Sequence, residues 1–166
     1  MIVVLMGVTG SGKTTIGTLL AERMNTVFAD ADDYHSAANK AKMAAGQPLN
    51  DGDREPWLET LNSLMRGWAT KDGSGVLACS ALKDAYRRML VRGIAPGAVE
   101  FVLLDGSKEL IAERLSQRKD HYMKPKLLDS QLATLEPPTD ALRVVNDRAP
   151  EEVVQRIVGA LAGESR

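Results

Sequence analysis

The chain has 166 residues, of which 44% are hydrophobic and 26% are charged, an ordinary composition for a globular protein. Its formal net charge of −1 provides no global positive field for nucleic acid, and its single cysteine excludes an intrachain disulfide. No apolar run approaches the roughly 20 residues of a membrane span. We therefore expect one cytoplasmic domain over residues 1–166, with neither nucleic acid nor a membrane as partner.

The first element predicts a phosphate-binding loop. Residues 7–14 read GVTGSGKT directly after the apolar run 2–6, which fits the pattern G-x-x-x-x-G-K-[ST] between a strand and a helix. Glycines let the backbone curl so that its N–H groups face phosphate, and the helix N-terminus adds a partial positive charge. Lys13 is expected at the β- and γ-phosphates and the Thr14 hydroxyl on Mg²⁺. The expected ATP-binding residues are Gly7, Val8, Thr9, Gly10, Ser11, Gly12, Lys13, Thr14 and Thr15.

Apolar runs alternate with helical patterns along the rest of the chain. The runs are 2–6, 27–29, 76–79, 99–104 and 142–145. Helices are expected after the phosphate loop, over 57–68 with Pro56 in the first turn, and after Ser80, Ser107 and Pro150. This alternation predicts an α/β fold with a parallel sheet covered on both faces. Ligands bind such sheets beyond the carboxyl ends of the strands.

Acidic residues follow the second apolar run, in the segment ADADDYH at 29–35. In extended chain Asp30 and Asp32 would point the same way, because the side-chain period of a strand is two. Two carboxylates on one side suit metal binding and acceptance of a proton from a substrate hydroxyl. The alternative is an acidic loop whose aspartates only cap helices.

A set of further motifs resembles a known family. In addition to the phosphate loop and the acidic segment, the motifs are GQPLND at 46–51, DREPWL at 53–58, CSALK at 79–83, Tyr86-Arg87, and LLDSQLATLE at 127–136. Together they resemble the bacterial-type gluconate kinases, which are P-loop kinases related to shikimate kinase. The resemblance extends from residue 1 to about residue 160, so it covers nearly the whole chain.

The resemblance implies ATP-dependent phosphorylation of D-gluconate to 6-phosphogluconate with Mg²⁺, often in a homodimer. It also implies a three-layer P-loop kinase fold, with a five-stranded parallel sheet flanked by helices and a mobile lid at roughly 118–136. By similarity, Asp32 would be the base beside the accepting hydroxyl, and Asp30 would lie nearer the metal.

A site for a sugar acid needs a cation for the carboxylate and hydrogen-bond partners for the hydroxyls. Arg54 is the first candidate for the carboxylate or the transferred phosphate, and its alternative is a surface pair with Asp53. Ser80, Lys83 and Arg87 follow the third run, where a helix opening near Ser80 could present N–H groups to an anion. His35 either binds a substrate hydroxyl or is structural, and Tyr86 either belongs to the core or lines the site.

A basic stretch after the fourth run is expected to form the lid or, alternatively, a solvated helix face. Lid arginines neutralise charge on the transferring phosphoryl group and exclude water. Arg118 is predicted to be the catalytic phosphate contact, Arg114 to stack on the adenine, and His121 to contact substrate. Trp57 and Trp68 are expected in the core, and Cys79 is expected to be a buried thiol.

Two alternative functions remain open from the sequence. One is a kinase of the same fold that acts on another small hydroxylated acid such as shikimate, and the other is a nucleotide-binding or hydrolysing switch protein. Shikimate kinases carry a glycine-rich segment after the third strand, where this chain has Cys79-Ser80-Ala81. A switch protein would need a base-reading N/T-K-x-D element, which the sequence lacks.

Overall fold

The computed structural model describes residues 1–71, 73–117 and 125–164. Its strands are β1 (Ile2–Met6), β2 (Phe28–Asp30), β3 (Gly75–Ala78), β4 (Val99–Asp105) and β5 (Leu142–Val145). Its helices are α1 (Lys13–Met24), α2 (Ala37–Ala44), α3 (Asp51–Thr70), α4 (Asp84–Leu90), α5 (Lys108–Ser116), α6 (Pro125–Thr134) and α7 (Pro150–Glu164). A short 3-10 helix, Ala31–Tyr34, follows β2. The five predicted runs match the five strands.

The strands form one parallel sheet in the order β2-β3-β1-β4-β5. In the centre, Val4 of β1 pairs with Leu77 of β3 on one side and Phe101 of β4 on the other. Every residue of β1 is 0% exposed, because helices cover both faces of the sheet. The predicted α/β class with a five-stranded parallel sheet is confirmed.

Alternate residues of β1 enter two separate cores. One face contributes Ile2, Val4 and Met6, which pack with Leu61 and Met65 of α3. The other face packs against α1 and α7 and contains Val3, Leu5, Leu20, Val153 and Ile157. Burial of each large apolar side chain contributes about 1.5–3 kcal/mol, so the two helical layers fix the sheet and with it the edge that carries the motifs.

Helix α3 begins earlier than the apolar pattern predicts. The Asn50 side chain accepts a hydrogen bond from the Asp53 N–H, and the Asp53 carboxylate accepts one from the Asn50 N–H. This reciprocal capping box starts the helix at Asp51. Pro56 consequently lies in the second turn rather than the first, and Arg54 lies in the first helical turn.

Helix α4 begins later than predicted. Its first residue is Asp84 and its N-cap is Lys83, whereas the expected start was near Ser80. Between them Ala81 adopts a left-handed conformation with φ of 46°, which interrupts any helix there. The expectation of a helix N-terminus at Ser80 was therefore wrong.

None of the helices in the described part of the chain combines the length and the apolar character that a membrane crossing needs.

Candidate active site

The phosphate loop joins the carboxyl end of β1 to α1 and requires its glycines. Gly7 has φ of 144°, and a Cβ there would lie 2.8 Å from the Leu104 carbonyl oxygen. Gly12 caps α1 with φ of 96°, and a Cβ there would lie 2.3 Å from Asn146 Nδ2. A larger residue at either position would displace the loop.

Lys13 and Thr14 lie at the first turn of α1. Lys13 Nζ donates hydrogen bonds to the carbonyl oxygens of Gly7 and Val8, each at 3.0 Å, so its ammonium group lies over the loop. The Thr14 hydroxyl donates to Asp30 Oδ2 at 2.8 Å. This contact brings the acidic segment after β2 against the phosphate loop.

Asp30 and Asp32 are not arranged as residues of one extended strand. Asp30 ends β2, and its Oδ1 accepts a hydrogen bond from the Asp32 N–H at 3.0 Å, which caps the 3-10 helix. Asp32 is exposed within that helix. The expectation from strand alternation was wrong, because the capping side chain turns the backbone immediately after Asp30.

The donor chemistry of the Thr14–Asp30 pair fits Mg²⁺. A hydroxyl and a carboxylate are hard oxygen ligands, and Mg²⁺ in nucleotide sites takes few protein ligands, with phosphates and water completing its shell. Within the described residues no group of three or more His, Cys, Asp or Glu forms a separate metal cluster.

A cationic cluster lies where α3 and α4 begin. Asp51 Oδ1 accepts hydrogen bonds from the Tyr86 hydroxyl at 2.5 Å and from Lys83 Nζ at 3.3 Å. Arg54 Nη1 donates to the Tyr86 hydroxyl at 3.2 Å and lies 4.0 Å from Asp51 Oδ1. Asp53 pairs with Lys42 at 2.8 Å. Arg54 therefore pairs with Asp51 and not with Asp53 as the surface-pair alternative had it. Arg54 and Lys83 both lie over the Tyr86 ring, and their binding of an anion stays a prediction.

Hydrogen bonding keeps the cluster charged. The Tyr86 hydroxyl, and after it the Lys83 ammonium, lower the pKa of Asp51. The hydrogen bond to Asp51 raises the pKa of Lys83. Burial raises the pKa of Tyr86, so its hydroxyl stays protonated and remains a donor. Asp51 and Lys83 are thus both ionised near neutral pH.

His35 lies beside this cluster and is neutral at pH 7. Its ring stacks on Trp57 with centroids 4.2 Å apart, and its Nδ1 lies 3.5 Å from the Asn39 side-chain nitrogen. Burial lowers its pKa, and the nearby charges of Arg54 and Lys40 lower it further. A neutral imidazole can both donate and accept hydrogen bonds, which suits a sugar hydroxyl.

The loop after β3 contacts the phosphate loop directly. The Ser80 carbonyl oxygen accepts a hydrogen bond from the Gly7 N–H at 3.2 Å. Arg87, predicted to bind substrate, is only 6% exposed and donates to the carbonyl oxygens of Ala81 and Glu136 at 2.6 and 2.7 Å. Its guanidinium group stabilises this loop through these two hydrogen bonds. Substrate binding by Arg87 stays a prediction.

A cavity of about 370 Å³ lies on the other side of the phosphate loop. Its lining residues are Gly10, Gly12, Thr15, Ile16, Arg114, Gln117, Asn146, Arg148 and Pro150. Arg114 Nη2 donates to the Asn146 carbonyl oxygen at 2.6 Å, and its buried Nη1 has no hydrogen-bond partner among the described residues. Arg114 thus lines this cavity, and its contact with adenine stays a prediction. Arg118 and His121 lie outside the described residues.

Sequence reasoning missed three contributors. Asn146 Nδ2 donates to the Ser11 carbonyl oxygen at 2.8 Å, and Gln131 Oε1 accepts from the Thr9 N–H at 2.6 Å, so both hold the phosphate loop. Trp57 is buried as expected, yet it also stacks on His35 and donates to the Ala31 carbonyl oxygen at 2.7 Å. The position of Asn146 directly after β5, at the ligand-binding edge, could have singled it out.

Cys79 is a buried thiol, as expected. It is 1% exposed, and burial raises its pKa to about 12. A thiol that stays protonated and inaccessible is not a nucleophile at neutral pH.

Comparisons with known proteins agree with this geometry. Residues 2–138 match the family model described as AAA domain. The chain is 45% identical to a probable gluconokinase of Xenopus tropicalis, over 99% of this chain and 93% of that protein. It is 43% identical to the gluconokinase of Gluconobacter oxydans, over 93% of this chain and 88% of that protein.

A solved structure shows the same relationship in three dimensions. The gluconokinase of Sinorhizobium meliloti superposes with a TM-score of 0.83 at 37% identity, covering 99% of this chain and 97% of that one. Because identity of this size extends over nearly the full length of both chains, this protein belongs to the gluconokinase family of P-loop kinases.

Proposed function

We propose that this protein transfers the γ-phosphoryl group of ATP to D-gluconate, forming 6-phospho-D-gluconate and ADP. The observation that carries the proposal is the placement of two sites at one edge of the sheet. The phosphate loop lies at the end of β1, and the Arg54–Lys83–Tyr86 cluster lies beyond β3, joined to it through the Gly7–Ser80 hydrogen bond. The names of its relatives support gluconate as the acceptor.

On the donor side, residues 7–15 would bind the phosphates and the cavity beside Arg114 would take the base. Lys13 would neutralise charge on the β- and γ-phosphates as the bond between the γ-phosphorus and the bridging oxygen breaks. Its present contacts with the loop carbonyls place the ammonium group at the loop, so a short side-chain movement suffices.

Thr14 and Asp30 are the residues that would hold Mg²⁺, through their hydroxyl and carboxylate oxygens. The ion supplies charge neutralisation for the triphosphate when it is bound. Because Asp30 also caps the 3-10 helix that contains Asp32, metal binding and the position of the proposed base depend on the same carboxylate.

On the acceptor side, an Asp32 carboxylate oxygen would accept the proton of the gluconate 6-hydroxyl while that oxygen attacks the γ-phosphorus. Neutral His35 would hydrogen-bond a hydroxyl of the chain, with Ser80 as a further contact. Arg54 and Lys83 would bind the substrate carboxylate. Two cations and a phenolic donor around one point form the arrangement that a carboxylate requires.

Residues 118–136 would form the lid of a single domain, and the part of it from Leu128 onward already packs against the phosphate loop and the loop after β3 in this structure. Arg118 and His121 would complete the contacts to phosphate and substrate, and closure would exclude water that otherwise hydrolyses ATP. We further propose a cytoplasmic homodimer, on the resemblance of the sequence to its family.

The two alternative functions, a shikimate kinase and a nucleotide switch, are not favoured, because the relatives of high identity carry the gluconokinase name.

The test is an acceptor panel. Purified protein with Mg-ATP is given gluconate, gluconate epimers, shikimate or nucleoside monophosphates, and ADP release is followed. We expect gluconate to give the highest kcat/KM, with 6-phosphogluconate identified by mass spectrometry. ADP release that is independent of any acceptor, or better turnover with shikimate, would contradict the proposal.

A further inference from the structure

Helix α6 holds the apex of the phosphate loop through one hydrogen bond. Gln131 Oε1 accepts the Thr9 N–H at 2.6 Å, across 122 positions of sequence. Thr9 is 7% exposed, so its N–H is shielded from water and needs a protein acceptor. The bond therefore fixes the direction of the peptide group between Val8 and Thr9, whose carbonyl oxygen also accepts a hydrogen bond from Lys13 Nζ.

Apolar packing supports the same contact. Leu128 of α6 is 1% exposed and belongs to a small core with Val8, which directly precedes Thr9 in the phosphate loop. Leu132, the next residue after Gln131, packs against this core as well. Helix α6 thus contacts the loop apex in two ways, through apolar side chains packed with Val8 and through the hydrogen bond to the Thr9 N–H.

The same segment reaches the acceptor side five residues later. The Glu136 N–H donates to the Leu82 carbonyl oxygen at 2.8 Å, and Glu136 Oε1 accepts from the Asp84 N–H at 2.8 Å. These contacts fix the start of α4 next to Lys83. One short stretch of chain therefore holds two loops. Gln131 holds the phosphate loop, and Glu136 holds the loop between β3 and α4.

We propose that Gln131 is a positioning residue for phosphoryl transfer: its amide oxygen orients the Thr9 peptide and so preorganises the phosphate loop for the γ-phosphate. The inference rests on the proposed kinase function. Loss of the oxygen lets the loop apex move, and a misplacement near 1 Å at a reacting group costs about 100-fold in rate. The effect should fall on kcat, because the hydrogen bond between Gln131 and Thr9 contacts neither the Arg54–Lys83–Tyr86 cluster nor the cavity beside Arg114.

The experiment compares Gln131→Met with Gln131→Glu. Methionine matches the length and helix propensity of glutamine but offers no comparable acceptor, whereas glutamate keeps a carboxyl oxygen for the Thr9 N–H. We expect Gln131→Met to lower kcat about 10- to 100-fold with gluconate KM unchanged within twofold, and Gln131→Glu to recover most of that loss. Gln155→Met, at an exposed position of α7, is the matched control and should leave kcat unchanged.

A second readout does not depend on turnover. Amide hydrogen exchange at Thr9, followed by NMR, should accelerate at least tenfold in Gln131→Met and stay slow in Gln131→Glu and Gln155→Met. Wild-type kcat in Gln131→Met, unchanged exchange at Thr9, or a greater kcat loss in the glutamate variant than in the methionine variant would each overturn the proposal. A wild-type enzyme that does not phosphorylate gluconate would contradict the proposed function instead. The rate of amide hydrogen exchange at Thr9 would still decide the role of Gln131.

Discussion

Tyr86 donates its hydroxyl hydrogen to Asp51 Oδ1 at 2.5 Å and thereby joins the beginnings of α3 and α4. The same carboxylate oxygen accepts from Lys83, and the Tyr86 oxygen accepts from Arg54. Three donor side chains are therefore arranged around one carboxylate of the protein. A substrate carboxylate offers the same acceptor oxygens, which supports the proposal that the cluster binds a sugar acid.

Removal of the Tyr86 hydroxyl should weaken acceptor binding selectively. Tyr86→Phe keeps the ring under Arg54 and Lys83 but loses the hydrogen bonds to Arg54 and Asp51. A hydrogen bond of this kind contributes about 1 kcal/mol, so gluconate KM should rise about fivefold while ATP KM changes less than twofold. Steady-state kinetics with each substrate varied separately measures both constants.

Arg54→Ala should raise gluconate KM more strongly than Tyr86→Phe, again with little change in ATP KM. Arg88→Ala is the matched control, because Arg88 is exposed on α4 and, within the described residues, pairs with Asp84. Equal increases in the KM of ATP and gluconate for Arg54→Ala would instead assign Arg54 to the transferred phosphate.

Asp32→Asn should abolish most turnover without abolishing ATP binding. The amide cannot accept the hydroxyl proton, and loss of a general base costs about 100-fold or more in kcat. Calorimetry with a non-hydrolysable ATP analogue should give a Kd near that of the wild type. Asp33→Asn, at the exposed neighbouring position in the same 3-10 helix, is the control. Near-normal turnover of Asp32→Asn would remove Asp32 from the role of base.

Activity should require a divalent metal ion, and the binding of that ion should depend on Asp30. EDTA should stop turnover and added Mg²⁺ should restore it. Asp30→Asn retains an oxygen that can cap the 3-10 helix but loses the negative charge beside Thr14, so the half-saturating Mg²⁺ concentration should rise about 10- to 100-fold. Titration of activity with Mg²⁺ at fixed ATP provides the measurement. An unchanged Mg²⁺ dependence would place the metal elsewhere.

The strands and the phosphate loop were predictable because local sequence determines them. A buried parallel strand is a continuous apolar run, and the 7–14 motif fixes its own backbone through glycines. The beginnings of α3 and α4 were not predictable from apolar periodicity. Side chains decide them: the Asn50–Asp53 capping box advances one, and the left-handed Ala81 delays the other.

The partners of polar side chains were the least predictable part of the site. Lys83 and Asp30 could be selected because ligands bind parallel sheets at the carboxyl ends of the strands, and Arg54 because a sugar acid needs a cation for its carboxylate. Gln131 and Thr9 are 122 positions apart, and no local pattern indicates that a glutamine will accept a hydrogen bond from a distant loop. Such pairs depend on how α6 packs, which the sequence alone does not specify.

His35 should make stability depend on pH in the acid range. Its pKa in the folded protein is below 6.5, so between that lower value and 6.5 the unfolded chain binds the proton and the folded chain does not. Stability therefore falls as pH drops through this window and is unaffected by His35 above it. The free energy of unfolding from urea titrations at several pH values should show a slope that His35→Gln reduces. An equal slope in both proteins would show that His35 does not titrate differently on folding.

Arg87→Met should reduce stability more than it alters substrate binding. The change leaves the carbonyl oxygens of Ala81 and Glu136 without their donor, and unsatisfied buried groups cost about 1–3 kcal/mol each. We expect the free energy of unfolding to fall by about 3 kcal/mol, or Tm by about 6–12 °C in a chain of this size. Arg88→Met, on the exposed side of α4, should stay within about 0.5 kcal/mol of the wild type. An unchanged unfolding midpoint together with a raised gluconate KM would show that Arg87 turns to the substrate, as its position in the sequence first suggested.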